Sequence, residues 1–221
     1  KTIAGLDRKS PLGMVPDYDV FLKYQFLPMQ QNKVGKKTAV FLDVYLPYHP
    51  DISVMKLPYL SNSAAYFSEM MALFDLIERE YEIDVVIAAH PCAEYIGNEF
   101  GCRKILHNMS HSLVRDCDFV ISHHSNSIAY AVMYHKPVLF CFTNEMKKIY
   151  KTSLLHHQNC YAQYLGLPTF CVNYLLKFGL PDIMNLIEIK PYKEFVSDFL
   201  TCKKSINQVS GDIIIDVIDN L

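Results

Sequence analysis

The stretch IDVVIAAHP, residues 83–91, decides the fold class of this 221-residue chain. It is a short, continuous apolar run that ends at a polar side chain, as expected of a strand buried on both faces. Similar runs recur along the chain. Further strands are predicted at 38–46, 104–107, 118–122, 136–142 and 169–173.

Helical segments are predicted between these strands. In the longest of them, apolar residues recur at helical spacing. The predicted helices are 61–80, 91–101, 109–117, 125–135 and one or two helices within 144–166. Apolar strands that alternate with helices are typical of a sheet covered on both faces. We therefore predict an α/β fold with a Rossmann-like, doubly wound parallel sheet.

The first 36 residues differ from the rest of the chain. They carry three Pro and most of the polar run QQNKVGKK. We expect a lead-in or linker over 1–36, with at most one strand in DYDVFLKYQFL (17–27), and a Rossmann-like domain over 37–221.

Composition excludes several classes of protein. With 51% hydrophobic residues and a net charge of −2, the chain is neither disordered nor a strongly basic nucleic-acid binder. Seven Cys without a C-x-x-C pair, several of them in apolar runs such as VLFCF, indicate free thiols and so the cytoplasm. No apolar run reaches the roughly 18 residues needed to cross a bilayer.

Polar side chains, many of them His, follow the predicted strands. The carboxyl ends of parallel strands meet at one edge of a sheet, where doubly wound folds bind ligands. These side chains are therefore the candidate site. In strand order they are His49 and Asp51; His90 and Pro91; His107; Ser122, His123, His124, Ser125, Asn126 and Ser127; and Thr143, Asn144 and Glu145. Asp43 either faces the same cleft or caps the sheet edge.

The segment ISHHSNSIAYA (121–131) places Ser125, Asn126 and Ser127 just before a predicted helix. Ser and Asn are favoured N-cap residues, which is the simplest explanation of their position. Free backbone N–H groups, the helix dipole and two hydroxyls also suit a phosphate. Because capping needs one such residue and the segment has three beside two His, we favour the phosphate interpretation.

His90 ends the strand predicted in residues 83–90 and precedes Pro91. A His in such a place is commonly an ordinary hydrogen-bonded residue. The serine-rich turn at the same sheet edge favours a functional role, because His can carry positive charge near neutral pH or donate a proton to a departing phosphate. Glu94 could orient His90, but a helix cap is the favoured interpretation.

The sequence gives no support for a metal or a glycine-rich nucleotide loop. His107 and His111 are four residues apart, but HNMSH lacks the Glu of H-E-x-x-H. Adjacent His at a strand end point in opposite directions, and His156 and His157 are expected to line a helix surface. The chain has no G-x-x-x-x-G-K-[ST], G-x-G-x-x-G or G-x-S-x-G motif. We predict no bound metal, and we disfavour ATPases, dehydrogenases and α/β-hydrolases.

Three motifs in order, AAHP (88–91), ISHHSNS (121–127) and HKPVLF (135–140), resemble the nucleotide-binding C-terminal half of GT-B-type glycosyltransferases. The resemblance covers about residues 38–175. It is strongest to bacterial enzymes of surface polysaccharide biosynthesis: capsule and O-antigen transferases, sialyltransferases and polysialyltransferases, and teichoic-acid polymerases.

The resemblance implies a role for each motif. His90 and Pro91 would grip the phosphates of a UDP- or CMP-activated sugar, as would Ser125 and Ser127, and His90 would also assist phosphate departure. No metal or other cofactor would be needed. Further candidate nucleotide contacts are Ser122, His124, Asn126, Asn144 and Glu145, and candidates for the acceptor side are Asp43, His49 and Asp51.

Two features depart from the family pattern. The sialyltransferase branch carries its catalytic base in an Asp/Glu-Asp-Gly motif, which this chain lacks. GT-B enzymes have two Rossmann-like domains, and this length suits one. Since the chain begins at Lys1 and not at Met, we expect the other domain upstream.

The expected partners follow from the resemblance. They are the donor and an oligosaccharide or lipid-linked acceptor, with peripheral association at the inner face of the membrane. No nucleic acid is expected as a partner. A nucleotide-sugar epimerase of the same architecture and a non-catalytic nucleotide-binding domain stay open as alternatives.

Overall fold

A computed structural model describes residues 15–27, 37–201 and 206–219. Its centre is a six-stranded parallel sheet in the order β3-β2-β1-β4-β5-β6. The strands are β1 Thr38–Leu42, β2 Asp84–Ala89, β3 Ile105–His107, β4 Phe119–Ser122, β5 Val138–Phe142 and β6 Thr169–Cys171. This order is that of a doubly wound, Rossmann-like sheet, so the predicted fold class is confirmed.

The helices cover both faces of the sheet. They are α1 Pro16–Tyr24, α2 Asp51–Val54, α3 Ser63–Tyr81, α4 Ser110–Asp116, α5 Ile128–Met133, α6 Asn144–Tyr150, α7 Leu154–Leu165, α8 Val172–Phe178, α9 Ile189–Phe195 and α10 Ser210–Asp219. Among these described helices, none is long and apolar enough to span a membrane.

Continuous apolar strands form because each side of the sheet has its own core. Phe41 of β1 packs on the side of α3, whereas Val40 and Leu42 face the side of α5. All three side chains are almost fully buried. Burial stabilises the fold by about 1.5–3 kcal/mol for each such side chain relative to an exposed one. The alternation of faces therefore explains why polar residues begin only where the strands end.

The long helix α3 confirms the prediction for residues 61–80. The Asn62 side chain caps its start by accepting a hydrogen bond from the Ala65 N–H, at 2.9 Å. The helix ends at Glu82, which has a left-handed φ of 53°. Helix α3 therefore leads the chain from the carboxyl edge of the sheet, after β1, back to the amino end of β2.

The helix predicted over 91–101 is wrong, because the segment is an irregular loop. Side chains hold its shape in place of helical hydrogen bonds. The Tyr95 hydroxyl donates to Asp43 at 2.8 Å, and the Glu99 carboxylate accepts two backbone N–H groups at 3.0 Å each. Glu94 consequently caps no helix.

Residues 17–27, for which we expected an extended lead-in with at most one strand, lie mostly in α1 instead. Pro16 occupies the first turn, where its missing N–H is harmless, and two acidic residues there suit the helix dipole. The Phe21 ring packs edge-on against Tyr134 at 5.1 Å. Helix α1 thus packs on the domain predicted to begin at residue 37; the rest of the predicted lead-in, 1–14 and 28–36, lies outside the described residues.

Candidate functional site

A cleft of about 450 Å³ opens at the carboxyl edge of the sheet, beside the ends of β1 and β4. These strands are neighbours from which the chain winds outward in opposite directions, and such switch points are where doubly wound sheets bind ligands. The cleft lining includes His49 and Asp51 after β1; His90 and Pro91 after β2; His124, Ser125, Asn126 and Ser127 after β4; and His157 and Tyr161 of α7. Eight of these were predicted candidates.

A larger cavity of about 980 Å³ lies elsewhere, over the amino-terminal half of β1 and β2. Its main cation, Arg103, is already paired with Asp75 and with Glu78, the latter at 2.6 Å. This larger cavity also lies away from the sheet edge where such folds bind ligands. Chemistry therefore favours the smaller cleft.

Asp43 lies beneath the cleft and is almost fully buried. Its carboxylate accepts hydrogen bonds from the Tyr45 N–H at 2.9 Å, the His90 N–H at 3.3 Å and the Tyr95 hydroxyl at 2.8 Å. Burial raises the pKa of this carboxyl, while the three hydrogen bonds oppose the rise. Asp43 therefore caps the sheet edge and holds the loop after β2 in place, and it does not line the cleft.

His49 and His90 meet inside the cleft. Their Nε2 atoms are 3.3 Å apart and their ring centroids 4.6 Å apart. Each Nδ1 accepts a backbone N–H from two residues further along: Asp51 donates to His49 at 3.0 Å, and Cys92 donates to His90 at 3.2 Å. Burial and then the neighbouring His49 lower the pKa of His90, against the opposing charge of Asp51.

The adjacent histidines after β4 point in opposite directions, as predicted. His123 is buried and satisfied, since its Nδ1 lies 2.7 Å from the Cys141 carbonyl oxygen and its Nε2 3.0 Å from the Tyr66 hydroxyl. Burial lowers its pKa to about 4. His123 is therefore structural.

Of the two adjacent histidines, His124 is the one that lines the cleft. Within the described part of the chain its Nδ1 is buried without a hydrogen-bond partner. Burial, followed by the charges of His123, His157 and His49, lowers its pKa to about 3. Burial thus favours the neutral imidazole at both His90 and His124.

The serine-rich turn uses its polar groups differently from a simple helix cap. The Ser125 hydroxyl accepts the Ser127 N–H at 3.3 Å, which closes a tight turn before α5. Ser127 occupies the N-cap position, but its side chain makes no capping hydrogen bond. The Asn126 side chain accepts from the Tyr161 hydroxyl at 3.3 Å. The Ser127 hydroxyl therefore makes no hydrogen bond that caps α5.

Several predicted candidates do not line the cleft. Ser122 is fully buried within β4, and Thr143 caps α6 by accepting the Met146 N–H at 3.2 Å. The Glu145 carboxylate accepts from the Ser61 hydroxyl at 2.8 Å, and Asn144 lies beside it. All but Ser122 follow β5, one strand further from the switch point than β4.

Two cleft residues were missed. His157 was expected on a helix surface, and it lines the cleft together with Tyr161, one turn further along α7; His156 is exposed. The spacing of four between His157 and Tyr161, with Leu154 on the same helical face, is the signal that could have identified them.

Comparison with known proteins names no family for this chain. No protein-family model matches it, and no curated protein matches it. In the ranges 15–27, 37–201 and 206–219, no group of three His, Cys, Asp or Glu side chains is arranged to hold a metal ion. Function is therefore inferred from the geometry of the cleft and from the motifs that line it.

Proposed function

We propose that this chain is the donor-binding domain of a bacterial GT-B-type glycosyltransferase. It would transfer a sugar from a UDP- or CMP-activated donor to a growing surface polysaccharide, such as a capsule. The observation that carries the proposal is that His90, Pro91, Ser125 and Ser127, to which the motif resemblance gives phosphate-binding roles, all line one cleft at the switch point of the sheet.

The polar side chains of the cleft suit a phosphate, and its apolar side chains suit an uncharged group joined to that phosphate. Imidazole N–H groups and serine hydroxyls can donate hydrogen bonds to phosphate oxygens. The rest of the cleft lining is apolar and suits a nucleobase or a sugar ring. It includes Val44, Leu46, Ile52, Leu57 and Leu154.

In the transfer step, an acceptor hydroxyl oxygen forms a bond to the anomeric carbon of the donor sugar. The bond from that carbon to the phosphate oxygen breaks, and its electron pair stays on the phosphate. His90 and the Ser125–Ser127 turn stabilise the charge that develops there. The acceptor proton passes to a base supplied by the second domain of the enzyme.

The acceptor is an oligosaccharide or a lipid-linked chain, which the enzyme meets at the cytoplasmic face of the membrane. Exposed apolar side chains near the cleft support such an encounter. Val54 and Met55 are 79% and 51% exposed, and Tyr48 and Tyr59 are about half exposed. All four belong to the segment that connects β1 to α3.

Calorimetric titration with UDP and with CMP tests the proposal. Wild-type protein should bind one of them, and His90→Ala or the double change Ser125→Ala/Ser127→Ala should weaken binding about tenfold or more. His107→Ala is the matched control, because His107 also ends a strand but is exposed outside the cleft. Absence of binding by both nucleotides, or equal binding by all variants, would contradict the proposal.

A turnover assay on the full-length protein separates the alternatives. Release of free nucleotide that depends on an acceptor supports transfer. Conversion between isomers of the nucleotide sugar without an acceptor indicates an epimerase. Binding without either reaction indicates a non-catalytic domain.

A further inference from the structure

The hydrogen-bond pattern of His49 and His90 fixes which ring nitrogen of each carries a proton. Each Nδ1 faces a backbone N–H donor, at 3.0 Å and 3.2 Å, so each Nδ1 is an acceptor. A neutral imidazole has one donor nitrogen and one acceptor nitrogen. Both Nε2 atoms therefore carry hydrogen.

The Asp51 carboxylate does not alter this assignment. Its Oδ2 lies 4.0 Å from the His49 Nδ1, beyond hydrogen-bond distance. If either ring gains a second proton, its Nε2 still carries hydrogen. The two Nε2 atoms thus remain donors in both the neutral and the charged state.

Two donors that face each other across 3.3 Å cannot satisfy each other. They need an acceptor that approaches both at once, from the open side of the cleft. An oxygen about 2.8 Å from each nitrogen completes such a triangle. A metal ion would need the Nε2 lone pairs, which are free only if both backbone hydrogen bonds are broken.

We infer that His49 and His90 act together as an oxyanion clamp, in which both Nε2–H groups bind one phosphate oxygen of the donor. This rests on the proposed function and extends it, because it moves His49 from the acceptor side to the phosphate side of the cleft. Asp51 positions the His49 ring through its backbone N–H, as Cys92 does for His90.

Long-range proton–nitrogen NMR of the histidine rings tests the assignment directly. In free protein, His49 and His90 should both be in the Nε2–H form, with His107 as an exposed reference. Addition of inorganic pyrophosphate should shift both Nε2 resonances and leave those of His107 unchanged. Protonation of either ring at Nδ1 alone in free protein would overturn the inference.

A pair of variants tests the role of the donor atom. His49→Gln keeps an N–H donor near the Nε2 position, and His49→Leu removes it while filling a similar volume. Pyrophosphate affinity should fall about tenfold or more in His49→Leu and less than about threefold in His49→Gln. Equal losses in the two variants would overturn the clamp.

Two further titrations separate this inference from the proposed function. Pyrophosphate binding that depends on His49, without binding of UDP or CMP, supports the clamp and contradicts the proposed function. Nucleotide binding that is unchanged in His49→Leu supports the function and overturns the clamp. Zn²⁺ binding that removes both Nε2–H signals also overturns it.

Discussion

Two buried tyrosines provide a matched test of the hydrogen bond beneath the cleft. Tyr66 and Tyr150 are both fully buried in the same core. The Tyr66 hydroxyl is 3.0 Å from His123 Nε2, whereas the Tyr150 hydroxyl is without a hydrogen-bond partner in the described residues. The same change, Tyr→Phe, therefore removes a satisfied hydroxyl in one case and an unsatisfied one in the other.

The expected magnitudes follow from this difference. Tyr66→Phe leaves the His123 Nε2 acceptor buried and unpaired, which costs about 1–3 kcal/mol. Tyr150→Phe leaves no partner unpaired and relieves the desolvation of an orphaned hydroxyl, so it should be neutral or stabilise by up to about 1 kcal/mol. Neither change opens a cavity larger than one oxygen atom. The two variants should thus differ by about 1–4 kcal/mol in the free energy of unfolding.

Urea unfolding followed by far-UV circular dichroism measures the difference, since the chain has no Trp for fluorescence. In thermal unfolding the gap should be roughly 2–16 °C for a chain of this size. Equal destabilisation of the two variants, or a larger loss in Tyr150→Phe, would refute the assignment of the hydrogen bond between Tyr66 and His123.

Three other predictions concern protons and the sheet edge. Burial lowers the pKa of His123 to about 4, so as pH falls the unfolded chain takes up this proton at a higher pH than the folded chain does. The free energy of unfolding should therefore fall by about 3 kcal/mol between about pH 6.5 and about pH 4. Urea unfolding at about pH 7 and about pH 4.5 should show a larger loss of stability in wild type than in His123→Gln. Burial also lowers the pKa of His90, and a bound phosphate raises it again, so UDP or CMP should bind with proton uptake and more tightly as pH falls. Calorimetry in two buffers of different ionisation enthalpy measures the protons taken up on binding. Binding without proton uptake would contradict the prediction. Asp43→Asn replaces one of the two oxygens that accept hydrogen bonds from Tyr45, His90 and Tyr95 with a donor, which disturbs the loop that carries His90. Nucleotide affinity should therefore fall about threefold to tenfold in the same titration. Asp118→Asn, which alters a carboxylate at the other end of β1, should leave the affinity unchanged.

The sheet was predictable from the sequence because both of its faces are buried. That environment produces unbroken apolar runs, such as those in β1 and β2, whose type is clear without any partner information. The loop over 91–101 was not predictable in the same way. Its shape depends on the contact between Tyr95 and Asp43, which are 52 positions apart.

The site was predictable in part, for a similar reason. The sequence identifies the residues that follow each strand, but not the order of the strands in the sheet. Among the strands that the structure describes, only β1, β2 and β4 end at the cleft, so His90 and Ser125 line it while His107 and Asn144 do not. The spacing within α7 places His157 on one helical face with Leu154 and Tyr161, but which part of the sheet that face meets depends on how α7 docks.

The charge of the cleft agrees with the near-neutral charge of the chain. The described lining includes no Lys or Arg, and burial lowers the pKa of both His90 and His124. Fixed cations would attract the donor and the released nucleotide strongly before and after the reaction. Imidazole and hydroxyl donors that are already oriented instead interact most strongly where negative charge develops on the leaving oxygen, and His90 gains its charge only while a phosphate is bound. A cleft lined by imidazoles and hydroxyls can therefore favour phosphate departure and hold the released nucleotide less tightly than a cleft lined by Lys and Arg would.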